Sequence, residues 1–97
     1  MDISIVLQLV KEVLGIRTDV RDIYITAIIK GIIKELEDEK GLSLDGSNDY
    51  HLLFVVDYVS WAYKNKDGAG MPRHLQFRLH NLIIHTGVSS TWHMIMN

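Results

Sequence analysis

From Val20 to Lys40 the chain runs without a proline and places isoleucine or leucine at positions 25, 28, 29, 32, 33 and 36. That spacing follows the helical repeat of 3.6 residues, not the two-residue alternation of a half-buried strand. The isoleucine richness would also suit a strand. The length of the run and the caps that bracket it argue for a helix. Thr18 or Asp19 stands where an N-cap belongs, Asp22 puts negative charge in the first turn, and Gly41 follows the end. Such a helix spans roughly 30 Å, enough to cross a small domain. Ala27 fills in the apolar stripe. Gly31, in the middle, weakens the helix by about 1 kcal/mol relative to alanine and reads as a close-packing point or a slight bend.

The rest of the chain is punctuated in the same way. A first helix is expected from about Ile3 to Leu14, with Asp2 as its cap and Gly15 in the left-handed position after it. Its apolar residues are Ile3, Val6, Leu7, Val10, Val13 and Leu14. After the polar loop "GLSLDGSND" comes a third helix, from about Tyr50 to Lys64. It is apolar on most of its circumference, which marks it as the central helix, with Asp57, Ser60 and Lys64 as a narrow polar stripe. The loop "NKDGAG" leads to Pro72, the only proline, which suits the first turn of a fourth helix running to about His85 and ended by Gly87. Residues from about 86 to 97 are expected to form an irregular or extended tail. The expectation is one all-α domain over residues 1–97, a small bundle of about four helices of which one is long.

Composition narrows the function classes. At 97 residues a chain buries roughly 65% of its unfolded surface, enough for one modest core. With no cysteine there are no disulfides, thiolate zinc sites or cysteine nucleophiles. The net charge of −2 supplies no global field toward DNA or an acidic membrane. The N-terminus opens with an acid where a secretion signal has a basic region, and no uncharged apolar run reaches the roughly 18 residues of a membrane span.

No cluster has the spacing of a reaction centre. His80 and His85 are five apart, and His74 and His80 six apart, where two ligands on one helical face need three or four. His51 and His93 lie elsewhere. Glu35 and Glu39 share a face at i and i+4, with Glu37 and Asp38 beside them, but the Glu-x-x-His partner of a bundle metal site is lacking. Acids are disfavoured at a helix C-terminus, which suggests a charge cluster kept for a basic partner. Asp57 shares its stripe with Ser60 and Lys64 and reads as a surface or salt-bridged acid. No nucleophile elbow or phosphate loop is present. No metal, cofactor or catalytic residue is assigned, and no enzymatic activity is expected.

The segment "GMPRHLQFRLHNLIIH" is amphipathic first. Leu75, Leu79 and Leu82 align at i, i+4 and i+7, and Arg73, Phe77, Arg78 and Asn81 fall on neighbouring faces. Two arginines are too few to drive DNA affinity by phosphate neutralisation. The basic face is read as a packing or protein-contact face, complementary to Glu35, Glu37, Asp38 and Glu39 of the same chain or a neighbour.

The stretch "RDIYITAIIKGIIKELEDEKGL" followed by "HLLFVVDYVSWAYKNKDGAGMPRHLQFRLHNLII" resembles the head–tail connector (adaptor) proteins of long-tailed bacteriophages and prophages, also called phage DNA-packaging proteins. The resemblance spans about Asp19 to Ile84. Its most distinctive part is "GMPRHLQFRLHNLII", where Met71, Pro72, Leu75, Gln76, Arg78, Leu79 and Asn81 look like the family pattern. It implies a structural subunit in the virion neck, assembled in the host cytoplasm. About twelve copies would form a ring beneath the portal, extend the DNA channel and meet the next neck or tail-completion protein. Such a ring needs a heterologous interface, one face of each subunit meeting a different face of the next. The candidate contact residues are Glu35, Glu37, Asp38 and Glu39 on one side and Arg73 and Arg78 on the other, with Trp92, Met94 and Met96 of the apolar tail. Lys64 and Lys66, or the "GLSLDGSND" loop, are candidates to face the channel, through which DNA passes only as transiting cargo. No membrane partner is expected. The competing readings are a small helical DNA-binding regulator with residues 72–85 as recognition helix, and a small enzyme built on Asp57 and a histidine.

Overall fold

The computed structural model describes residues 1–66 and 70–84. Four α-helices follow in order: α1 Ile3–Leu14, α2 Asp22–Lys34, α3 Asp49–Lys64 and α4 Arg73–Leu82. The described residues form an all-α bundle of four helices with no strand. The expected tail residues Trp92, Met94 and Met96, together with His85, Gly87 and His93, lie outside the described residues.

Each helix boundary has a local cause. Asp2 caps α1, its carboxylate accepting from the Ser4 N–H at 2.9 Å, and Gly15 closes the helix at φ 72°. The long second helix starts at Asp22, two residues later than the sequence suggests, and neither Thr18 nor Asp19 caps it. The carboxylate of Asp19 is drawn instead to Lys11 of α1, 3.2 Å away, and Arg21 holds the cap position with no side-chain bond. α2 then continues through a π-helical turn, Glu35–Glu39, where the Lys40 N–H reaches back five residues to the Glu35 carbonyl at 3.1 Å. Gly41 adopts φ 70°, so that the Leu42 N–H can bond the Leu36 carbonyl at 3.0 Å and bury the Leu42 side chain. This is a glycine-closed helix end widened by the π turn. Asn48 caps α3 by accepting from Tyr50 and His51. Pro72 stands one position before α4, and its carbonyl receives the Leu75 and Gln76 N–H groups.

The core is the meeting of these stripes: Val6 and Val10 of α1, Ile25, Ile29 and Ile32 of α2, Leu36 of the π turn, Leu42 of the loop after it, Phe54, Val55, Val56 and Val59 of α3, and Leu75 of α4. Each such buried side chain contributes about 1.5–3 kcal/mol by leaving water. α3 packs against all three other helices, as its apolar circumference predicts. Tyr24 of α2 stacks near Tyr63 of α3, while Glu35 meets Tyr58, so α2 and α3 run antiparallel. α4 runs antiparallel to α3 on its other side, with Arg78 reaching Asp57.

Three expectations are corrected. Gly31 is not a packing point: a Cβ added there meets no heavy atom within 4 Å, and the residue faces solvent. Ala27 is likewise exposed and not part of the stripe. Ser60 leaves the polar face of α3 and is buried, its hydroxyl donating to the Val56 carbonyl at 2.8 Å one turn back. That back-bond lets a serine sit in an apolar helix without an unmet polar group.

Candidate functional site

Antiparallel packing gives the two ends of the bundle different charge balances. The start of α2 lies beside the end of α3, which places Arg21, Lys64 and Lys66 at one end together with Asp19 and Asp22, the two acids that pair with Lys11. The end of α2 and the start of α3 place Glu35, Glu37, Asp38, Glu39, Asp45 and Asp49 at the other, with Lys34 and Lys40 among them. Among the described residues, Glu37, Asp38 and Glu39 are exposed and make no ion pair. Glu35 differs from them, being half-buried and accepting from the Tyr58 hydroxyl at 2.9 Å. Burial, and then the Glu35 carboxylate, push the Tyr58 phenol up to about 12. Glu35 is engaged by Tyr58 while Glu39 is exposed, so the two carboxylates of the π turn sit in different surroundings.

The basic face of α4 is partly satisfied within the chain. The Arg78 guanidinium lies 2.6 Å from Asp57 and 5.6 Å over the Phe54 ring. Its partner is thus Asp57 of α3, not the acids of α2. Arg73 remains exposed and without an ion pair among the described residues. Lys66 sits over the rings of Tyr24 and Tyr63, at 4.9 and 5.0 Å, which pins the end of α3 to the start of α2. Lys64 is exposed.

Lys11 joins α1 to α2, its ammonium 2.8 Å from Asp22 and 3.2 Å from Asp19. The bond to Asp22 raises the lysine above its ordinary range, partial burial opposes this, and Asp19 adds to the rise. Asp45 is held below the usual carboxylate range by the Ser47 hydroxyl and N–H, which both bond one carboxylate oxygen. The Asp45 N–H in turn donates to Nδ1 of buried His51 at 2.9 Å, anchoring the 41–48 loop to α3. A ring nitrogen that accepts from a backbone amide carries no proton, so His51 is in the Nε2–H tautomer. No group of three metal-capable side chains occurs among the described residues. Among the described residues no helix is long and apolar enough to cross a membrane.

Two surfaces escaped the sequence reading. The first is a ridge at the start of α2. Val20, in the turn before α2, is 85% exposed and Ile23 88%, and Tyr24, Ala27 and Gly31 continue the outward side of α2. The signal was present in the spacing, since 20, 23, 24, 27 and 31 also recur with a helical period, on the side opposite Ile25, Ile29 and Ile32. The second is a groove of about 710 Å³ between the start of α3 and the end of α4, lined by Tyr50, His51, Phe54, Arg78 and Leu82. Tyr50 is 81% exposed at its edge. A smaller concavity, of about 520 Å³, is lined by Gln8, Lys11, Glu12 and Arg17 beside the α1–α2 ion pair.

Comparison with known proteins returned no matching family model, no matching curated protein and no matching solved structure.

Proposed function

We propose that this chain is a structural head–tail connector subunit of a tailed bacteriophage or prophage. Copies assemble as a ring under the portal, extend the DNA channel and present a surface to the next neck or tail-completion protein. The observation that carries the reading is the unpaired acid at one end of the bundle. Glu37, Asp38 and Glu39 sit where the helix dipole disfavours them and make no ion pair among the described residues. Charge placed against its own helix and left unpaired is suited to a partner's surface. The resemblance over Asp19–Ile84 supplies the identity of that partner as a portal or a sister copy.

Mixing the purified chain with the portal of the same phage and imaging by negative stain tests the reading. A ring seated on the tail-facing end of the portal is expected, and a doubly reversed variant, Glu37→Lys with Glu39→Lys, should lose it. Portals that stay bare under every condition sink the proposal. A gel shift with salt titration separates it from the regulator reading. Arg78 is already committed to Asp57, which leaves Arg73 as the arginine of α4 free to meet a phosphate. Sequence-specific retention of a duplex at physiological salt would overturn the connector role.

A further inference from the structure

We infer that the groove between the start of α3 and the end of α4 is a small-molecule site. Its ligand is uncharged and flat, with a carbonyl oxygen on its edge, as in an aromatic amide or ketone. Such a site is independent of the connector role, which calls for no ligand.

The groove has the size for this. Its volume is about 710 Å³. Small-ligand clefts run from roughly 300 to 1,000 Å³. Two rings flank it. Phe54 belongs to the core and is held in place, and Tyr50 stands exposed at the edge. Rings so placed offer flat apolar surface to a flat apolar body.

His51 sets the polar chemistry. It lines the groove and is only 5% exposed. Its Nδ1 accepts the Asp45 amide at 2.9 Å, which fixes the tautomer and the plane of the ring and leaves Nε2–H as a donor. That donor has no hydrogen-bond partner among the described residues. Nor is it both sealed from water and unmet. It therefore reaches open space, and the groove is the open space this ring borders. A rigid donor on a side chain so deeply buried is complementary to an acceptor that a ligand brings in.

The second fixed polar group also donates. The Arg78 guanidinium lies 5.6 Å over the Phe54 ring and gives one nitrogen to Asp57 at 2.6 Å. Its other N–H groups make no side-chain hydrogen bond among the described residues. Charge does not select the ligand, however. Asp57 offsets the guanidinium, and Asp49 lies in the chain between Asn48 and Tyr50 of the lining. An anion finds no surplus cation here, and an amine or amidine brings donors to donors. A neutral carbonyl oxygen meets both groups without either penalty.

Four probes of one size test this. Acetophenone and benzamide carry a neutral carbonyl, benzoate is the anion, and benzamidine is the cation that offers donors only. Each is titrated into the full-length, isotope-labelled chain at neutral pH and followed by proton–nitrogen correlation spectra, the His51 ring nitrogens included. Acetophenone and benzamide are expected to saturate one site and to move the His51 Nε2 and Asp45 amide resonances together. Benzamidine should bind at least about tenfold more weakly, the loss expected when a donor faces a donor. Benzoate should also be the weaker ligand. Tyr50→Ala changes an exposed side chain, leaves the core intact and should weaken acetophenone about 3- to 10-fold. Phe77→Ala, exposed on α4 outside the lining, should change nothing. Shifts that never saturate, or that Tyr50→Ala leaves unaltered, overturn the site. Benzoate or benzamidine binding as tightly as acetophenone overturns the assigned ligand class. An intramolecular disulfide in a Tyr50→Cys/Met94→Cys chain that acetophenone does not prevent gives the groove to the chain's own C-terminal segment and overturns the inference as well.

Discussion

Single residues decide how the loops of this bundle hold, and two make sharp predictions. His51 is buried in α3 with Nδ1 accepting the Asp45 amide, so its ring is the anchor of the 41–48 loop. Replacing it with leucine keeps an apolar volume but leaves the Asp45 N–H without its partner. The expected loss is about 1–3 kcal/mol, the desolvation penalty of an unmet donor. Urea unfolding measures it, and a change inside about 0.5 kcal/mol would mean that water replaces the ring without penalty. Gly31 gives the opposite sign. It is exposed, has helical backbone and leaves room for a methyl group. Gly31→Ala should raise stability by about 0.5–1 kcal/mol by restricting the unfolded chain and favouring the helix. A loss on the same measurement would show that another copy packs closely over this position.

Among the helices, α2 and its π turn carry the conflict between stability and assembly. Three acids at the C-terminal end oppose the macrodipole. Glu39→Lys should therefore stabilise the isolated chain by about 0.3–1 kcal/mol at low salt, with the gain fading as salt screens it. Thermal melts at two ionic strengths read this directly. A destabilised variant would mean that Glu39 has a cation partner in solution. Helix positions were legible in the sequence because apolar spacing and caps act locally: Asp2, Gly15 and Gly41 do what their residue types dictate. The start of α2 was not, because a long-range ion pair outcompetes a local cap. Lys11 takes Asp19, and the helix begins at Asp22 without a side-chain cap. Ser60 was misplaced for a related reason, since its hydroxyl is satisfied by its own helix and no longer needs water. The ridge and the acidic end were present as letters, but only the antiparallel pairing of α2 with α3 sets them at opposite ends.

For the molecule as a whole, the titratable groups whose range the fold shifts define a stability plateau with two edges. Asp2 and Asp45 are lowered from 3.8, each by a serine that bonds its charged form. Their contribution is complete above that value and is lost as pH falls below it. Lys11 and Tyr58 are raised, from 10.5 and 10.0 respectively. A raised group binds its proton more tightly in the folded state, so its contribution is complete below the unfolded value and disappears as pH climbs through the folded one. For Tyr58 that window runs from 10.0 to about 12. Ionisation there replaces a donated hydrogen bond by a phenolate facing the Glu35 carboxylate, which pushes α3 away from the π turn that carries the acidic end. Alkaline pH should thus loosen the assembly surface before it unfolds the bundle. The check is a set of urea midpoints at pH 9 and near pH 11.5 for the wild type, Tyr58→Phe and Glu35→Gln. Tyr58→Phe should be slightly less stable at pH 9 and lose less on going to the higher pH. Glu35→Gln keeps an acceptor without the charge, so the folded phenol is raised less and the alkaline loss should be smaller than the wild type's. Identical alkaline losses in all three chains would assign that edge to Lys11, whose bonds to Asp19 and Asp22 close the opposite end of the bundle.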